Sequence, residues 1–136
     1  MKLLALAVPM ALALSSCASS PPQPFQRTAE NQQRLDSWLR GLSPQGRAGC
    51  VPQFQAREQR IIDQRTILFS SGGRGTVYRT DIRNCPKLDK NSTIIRRSTS
   101  SSICPGEIFE VRDAGTQFSY GACTFGEFTR YGRAGS

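Results

Sequence analysis

The chain has no histidine, only three lysines and only ten acidic residues among its 136 residues. Histidine is the commonest general base and the commonest metal ligand, so its absence removes the usual partner of a nucleophilic serine or cysteine. Long hydrophobic runs are lacking as well. The main apolar segment, residues 3–14, is shorter than the roughly 20 residues that a membrane-spanning helix needs. These absences favour a protein without an enzymatic or transmembrane role.

The length and composition limit the chain to a single small domain with a thin core. Of its 51 hydrophobic residues, 12 lie within residues 1–16, which leaves 39 in the 120 residues from Cys17 onward. About a third of the remaining chain is therefore apolar, which is lean for a globular core.

The N-terminus has the order of a bacterial lipoprotein signal. Lys2 is followed by the apolar segment, and Leu14-Ser15-Ser16-Cys17 resembles the lipobox, in which an apolar and two small residues precede an acylated cysteine. We expect residues 1–16 to be a signal peptide and the Cys17 thiol to carry lipid. Because such an anchor has more than one acyl chain, it would hold the protein on its membrane.

The residues after Cys17 indicate location and spacing. Ala18 and Ser19 follow without an aspartate, which by resemblance to lipoprotein sorting in bacteria with two membranes implies the outer membrane, with the domain facing the periplasm. Residues 17–27 contain three prolines and predict an extended tether of about 3.1 Å per residue.

An amphipathic helix is predicted at the start of the domain, which we place at residues 28–136. Leu35, Trp38, Leu39 and Leu42 follow the helical period and polar residues occupy the other face, with Thr28 as the expected N-cap. Trp38 either enters a membrane interface or partner groove or covers one end of the β-domain. We favour the cover.

The rest of the chain alternates short β-type segments with polar and glycine-rich turns. We expect six strands in a mainly β, antiparallel, barrel-like domain, because closure leaves no unpaired edge strand. Phe118, Tyr120 and Ala122 are expected on a buried face of the last strand. The predicted strands lie within or over residues 51–62, 66–69, 76–82, 93–97, 107–112 and 117–122.

Four cysteines remain if Cys17 carries lipid, and in an exported chain an even number predicts two disulfides. Three pairings are open. Because a barrel brings its first and last strands together, we favour Cys50 with Cys123 and Cys85 with Cys104. No metal or cofactor is expected, since the cysteine spacings do not fit a zinc site.

Two segments around these cysteines carry a family resemblance. Asn84-Cys85-Pro86-Lys87-Leu88 and Ile103-Cys104-Pro105-Gly106-Glu107-Ile108, within the span from Cys50 to Phe128, resemble an uncharacterised family of small four-cysteine envelope proteins of proteobacteria. The resemblance implies export and a shared fold, and it implies no activity.

No pattern points to catalysis. Glu107 and Glu110 are three residues apart and lie on opposite faces of a strand, and neither lysine of the β-domain has a recognisable spacing from a serine. The glycine-rich segment 71–75 is either a nest of backbone N–H groups for an anion or a hairpin turn, and we favour the turn. We therefore expect no enzyme.

Positive charge is the remaining signal. Fifteen of the 18 basic residues are arginine, and arginine pairs with phosphate and carboxylate through two parallel hydrogen bonds. Arg74, Arg79, Arg96 and Arg97 are the candidate binding residues. A periplasmic location disfavours nucleic acid, so we expect an anionic envelope component as the partner.

A second hypothesis makes the protein an inhibitor or accessory subunit of an envelope protein such as a cell-wall hydrolase. Residues 71–75 resemble the serine-glycine loop of periplasmic lysozyme inhibitors and differ from it after the first glycine. In this hypothesis the loop would be the contact element.

Overall fold

The computed structural model describes residues 20–21, 23–73 and 75–135. The predicted signal peptide, Cys17 and Arg74 lie outside these residues. The α-helix α1 spans Ala29–Trp38 and a short 3-10 turn spans Gln53–Gln55. The strands are β1 Ser43–Ala48, β2 Val51–Pro52, β3 Glu58–Asp63, β4 Thr66–Ser70, β5 Thr76–Asp81, β6 Ser92–Arg96, β7 Ser102–Ile103, β8 Ile108–Asp113, β9 Ser119–Thr124 and β10 Phe128–Gly132.

The described chain is mainly β with one helix, and all strand pairs are antiparallel, as predicted. The predicted six-stranded barrel is wrong. Ten strands form three separate sheets, ordered β1-β10-β5-β4-β3, β2-β7 and β6-β8-β9, and over the described residues these sheets do not close on themselves. Strands β1, β3, β6 and β9 are the open edges of the two larger sheets. Because neither sheet closes into a barrel, the fold buries their apolar faces by stacking the sheets as layers.

The helix covers the outer face of the five-stranded sheet. Thr28 caps it, because its hydroxyl oxygen accepts the Asn31 N–H at 3.2 Å. Leu35 is buried against the sheet, and Trp38 and Leu39 pack beside it. The amphipathic face and the cap are therefore confirmed. The regular helix ends earlier than residue 42, and Trp38 lies on a sheet face because no barrel end exists for it to cover.

The main core lies between the five-stranded and three-stranded sheets. Phe69 and Phe128 contribute from the larger sheet, Phe109 from the smaller one, and Phe125 from the segment that joins β9 to β10. The ring centroids of Phe109 and Phe125 are 4.4 Å apart. Aromatic rings bury much surface per residue, which suits a chain with few apolar residues.

Local sequence patterns located seven of the ten strands. The hairpin β4–β5 is present, with Thr66 opposite Asp81 and Ser70 opposite Val77. The sequence analysis missed β1, β7 and β10. Residues 43–48 contain Pro44 and Gly46, which are turn residues in sequence, and the strand forms because an edge strand tolerates proline.

The predicted buried face of the last strand is also wrong. Phe118 is 64% exposed, Tyr120 is 41% exposed and Ala122 is exposed. The strand is an edge of the three-stranded sheet, and its one position packed against the core is Cys123, opposite Phe109, while Gly121, opposite Val111, is exposed. Apolar and polar residues do alternate here, but the apolar side chains of Phe118, Tyr120 and Ala122 face outward.

The four cysteines form two disulfides, as predicted, but neither of the two favoured pairings is present. Cys50 bonds Cys104 and Cys85 bonds Cys123. The pairing by barrel closure is wrong because β2 pairs with β7, which brings the residue before Val51 next to the residue after Ile103. Cys123 faces the core from β9 and there contacts the loop that carries Cys85.

Candidate anion-binding cleft

A cleft of about 1000 Å³ lies at the end of the five-stranded sheet where the N-terminal segment meets the domain. We call it the arginine cleft. Its cationic lining consists of Arg27, Arg65, Arg79 and Arg83. Asp81 and Glu127 also line it, so cations outnumber carboxylates along its walls. The strand register explains the cluster, since the start of β4 and the end of β5 lie side by side.

A hydrogen-bonded network holds one side of the cleft. Arg27 Nε donates to Asp63 Oδ2 at 2.6 Å, and Arg27 Nη2 donates to the Thr66 hydroxyl at 2.6 Å. That hydroxyl donates to Asp81 Oδ1 at 3.2 Å. Arg79 reaches the same carboxylate oxygen, with its Nη2 at 3.0 Å. The charges of Arg27 and Arg79 are therefore each met by one carboxylate.

Arg79 remains a cation at every pH at which the domain is folded. Partial burial disfavours its charge, but the attraction and hydrogen bond of Asp81, with a further contribution from Tyr131, outweigh burial and raise the pKa of Arg79 above its usual value. The Arg79–Asp81 pair is best regarded as a fixed dipole in the cleft wall.

Two arginines of the cleft have no carboxylate partner within the described part of the chain. The Arg65 guanidinium lies 5.0 Å from the centroid of the Phe25 ring, and both residues line the cleft. Arg83 follows the end of β5 and is exposed. Since ion pairs satisfy Arg27 and Arg79, the net positive charge available to a ligand comes from Arg65 and Arg83.

The three predicted binding residues that the structure describes do not lie together. Arg79 lies in the cleft. Arg96 is held by Glu107 at 2.7 Å and by the carbonyl oxygen of Ser102 at 2.8 Å, which indicates a structural role. Arg97 is exposed on the three-stranded sheet beside Glu110. Arg74 lies outside the described residues.

The sequence prediction did not include Arg27, Arg65 or Arg83 among the binding residues. A signal for two of them existed. Once segment 71–75 is taken as a hairpin, Arg65 before β4 and Arg83 after β5 lie at the same end of its two strands, and the hydrogen bond from the Ile82 N–H to the Arg65 carbonyl oxygen shows this adjacency. Arg27 gave no such signal, because its position depends on a contact across 36 residues.

The outer face of the three-stranded sheet is a second surface feature. Ile95, Ile108 and Ala122 line a shallow groove of about 460 Å³ there, with Arg97 and Glu110 beside them. Hydrogen bonds from Arg112, Ser119 and Arg97 lower the pKa of Glu110 to about 2. These hydrogen bonds stabilise the ionised Glu110 carboxylate, which is therefore a poor general base at neutral pH.

Two further findings concern the described residues only. They contain no group of three or more acidic or cysteine side chains placed to hold a metal ion. None of their helices combines the length and apolarity that crossing a bilayer requires.

Comparison with known proteins gives no identification. A scan against protein-family models, a search of curated proteins and a search of solved structures each found no match to the chain. The functional argument consequently depends on the geometry above.

Proposed function

We propose that the chain is an outer-membrane lipoprotein whose domain faces the periplasm and binds an anionic envelope component without catalysing a reaction. The single observation that carries the binding role is the pair Arg65 and Arg83, two guanidinium groups that line one cleft and have no carboxylate partner among the described residues. Guanidinium groups bind phosphate and carboxylate in preference to neutral ligands.

Two observations support the envelope location. Leu14-Ser15-Ser16-Cys17 has the residue types of a lipobox. The domain contains two disulfides, and disulfides persist in oxidising compartments such as the periplasm. A non-catalytic role fits the cleft, because the sequence has no histidine and both carboxylates that line the cleft form ion pairs, Asp81 with Arg79 and Glu127 with Arg47.

The anchor is tested by mass spectrometry of the mature protein purified from envelopes. The N-terminal residue should be Cys17 carrying acyl chains, and Cys17→Ser should release the protein from the membrane fraction. A mature chain with an unmodified Cys17 thiol overturns the anchor.

The binding role is tested with the full chain in detergent, mixed with isolated envelope fractions. Binding should fall steeply between low and high salt, because exposed charges are screened over about 10 Å at 0.1 M salt. Arg65→Gln and Arg83→Gln should each weaken it. Arg57→Gln is the matched control, since Arg57 precedes β3 at the end opposite the cleft. The proposal is contradicted if binding to the envelope fractions is equally strong at low and high salt and in the Arg65→Gln and Arg83→Gln variants.

An inhibitor or accessory subunit of an envelope protein is the second candidate. Gly72 and Gly73 form an exposed turn between β4 and β5, both with positive φ, and an added Cβ at either would meet nothing within 4 Å. This turn lies at the end of the hairpin opposite the arginine cleft, so the two roles are separable. A stoichiometric protein partner that is lost with Arg74→Ala and kept with Arg83→Gln would support this candidate, whereas retention with Arg74→Ala would reject it.

A further inference from the structure

We infer that the ligand of the arginine cleft is a phosphate monoester on the head group of a lipid in the membrane that holds Cys17. This inference rests on the proposed function and narrows it from anionic components in general to one chemical class. Three features of the cleft support it. They are the contact of the N-terminal segment with the cleft, the positive charge of the two arginines without a carboxylate partner, and the apolar residues in the rest of the wall.

The N-terminal segment is itself part of the cleft. Phe25 lies against Arg65, and Arg27 is fixed by Asp63, so both residues that lead back toward Cys17 line the cavity. Eight peptide units lead from Cys17 to Phe25, and an extended chain spans at most about 28 Å over that distance. With Cys17 anchored as proposed, the cleft therefore lies no farther than that from the lipid surface.

The positive charge of Arg65 and Arg83, which no carboxylate of the described residues balances, suits a phosphate group. Two unpaired guanidinium groups line the cavity, and Arg79 adds a third guanidinium whose charge is already balanced by Asp81. A phosphate monoester has three terminal oxygens and up to two negative charges, so it can accept hydrogen bonds from more than one guanidinium at once. A single carboxylate has one charge and two oxygens and would leave part of this surplus unmet.

The rest of the wall matches the part of a lipid next to its phosphate. Phe25, Ile82, Pro105 and Phe125 line the same cavity as the arginines. A volume of about 1000 Å³ is at the upper end of the range typical for small organic ligands and far exceeds that of an inorganic ion. Ile82 and Phe125 are already buried in the core, so glycerol and the first methylenes of an acyl chain would cover Phe25 and Pro105 while the phosphate meets Arg65 and Arg83.

The test uses the full chain held by its own anchor in bilayer discs of phosphatidylcholine. Calorimetry would follow titration with dihexanoyl phosphatidic acid, with inorganic phosphate and with a triglutamate peptide, each against empty discs as the blank. Dihexanoyl phosphatidic acid should bind saturably and at least tenfold more tightly than inorganic phosphate, because burial of two methylenes contributes about 1.6 kcal/mol.

Variants locate the site. Arg65→Gln and Arg83→Gln should each weaken binding of dihexanoyl phosphatidic acid about tenfold, the effect of losing one charge-assisted hydrogen bond. Arg57→Gln should leave binding unchanged. Thermal unfolding of all three variants, compared with the unmodified chain, separates loss of the site from loss of the fold.

The outcomes distinguish this inference from the function on which it rests. Equal affinity for inorganic phosphate and dihexanoyl phosphatidic acid would reject a lipid source and keep an anion site. Tighter binding of triglutamate would reject the phosphate class, and so would envelope binding that needs Arg83 although dihexanoyl phosphatidic acid does not bind. If none of the three anions binds and the arginine variants leave envelope binding intact, both proposals fail.

Discussion

Arg27 and Asp63 form an ion pair of 2.6 Å that fastens the residue before the helix cap to the end of β3. The Asp63 side chain is only 4% exposed, and its other oxygen accepts the Arg65 N–H at 2.8 Å. The pair therefore joins the predicted tether to the domain and closes one side of the arginine cleft. The segment predicted as a tether, residues 17–27, is therefore fixed to the domain at its last residue.

Replacing Arg27 should destabilise the domain. Arg27→Gln leaves the buried Asp63 carboxylate without its counter-charge, and we expect a loss of about 3 kcal/mol in the free energy of unfolding. Urea unfolding measures it. Arg47→Gln is the control, because its ion pair with Glu127 is exposed on both sides and should contribute less than about 1 kcal/mol. Equal losses for the two variants would contradict a structural role for the Arg27–Asp63 pair.

Gly126 should tolerate no side chain. A Cβ built at Gly126 overlaps the carbonyl oxygen of Asp81, which is backbone and cannot rotate away, and the Gly126 carbonyl also accepts the Thr80 hydroxyl at 3.1 Å. Gly126→Ala should therefore push β5 and the 125–127 segment apart and cost about 1 to 3 kcal/mol. It should also weaken ligand binding, because both elements line the cleft.

Gly75→Ala is the matched control for that change. Gly75 has no neighbour within 4 Å of an added Cβ and does not have a positive φ, so this variant should stay within about 0.5 kcal/mol of the unmodified protein. An unchanged unfolding midpoint for Gly126→Ala would show that the two segments can separate without cost.

Stability should fall in acid partly through Glu110. Hydrogen bonds from Arg112, Ser119 and Arg97 lower its pKa from 4.5 to about 2 in the folded protein. Because the folded state binds this proton less readily than the unfolded state, the contribution is complete above pH 4.5 and disappears as the pH falls through about 2. The carboxylate resonance of Glu110, followed by NMR, should titrate near pH 2.

Glu110→Gln should make the unfolding free energy less dependent on pH between 4.5 and 2. Some dependence should remain, because hydrogen bonds from Thr116, with help from Gly115 and Tyr120, lower the pKa of Asp113 as well. A stability profile that is identical with and without the Glu110 carboxylate would show that the hydrogen bonds of Glu110 do not favour the folded state.

Peptide mapping without reduction should recover fragments that join Cys50 to Cys104 and Cys85 to Cys123. The partners are 54 and 38 residues apart, and on the loop-entropy model each bond stabilises the fold by about 4 kcal/mol. Replacing Cys85 and Cys123 together with serine should therefore lower the free energy of unfolding by about that amount. A fragment that joins Cys50 to Cys123 would contradict this topology.

Elements that depend on neighbouring residues were predictable. The helix with its Thr28 cap, the β4–β5 hairpin and the strands β6, β8 and β9 follow from periodicity and turn residues within a few positions. The strand β1 was not predictable from its own residues, because Pro44 and Gly46 oppose strand formation and pairing with β10, more than 80 residues away, overrides them. Two further strand pairs, β10–β5 and β2–β7, also join residues 48 or more positions apart, as in Phe128 opposite Thr80.

The candidate site, like the fold, was predictable only in part. Arg79 was identified from its place on a strand, but the three other arginines of the cleft come together only through the register of β4 with β5 and the contact of Arg27 with Asp63. Arg96 and Arg97 matched the same charge pattern and are held by Glu107 and Glu110 instead. Sequence shows that a charge is present, and only the surroundings show whether it is free.

The sequence alone determined which kinds of segment this protein contains. The lipobox-like start, the amphipathic helix, the alternating β-segments, the four cysteines available for two bonds and the excess of arginine are local or additive properties of the chain. The tertiary structure decided which cysteines pair, which face of β9 turns outward and which arginines share a cleft. Those outcomes depend on contacts between residues tens of positions apart, whose free energies exist only once the sheets have formed.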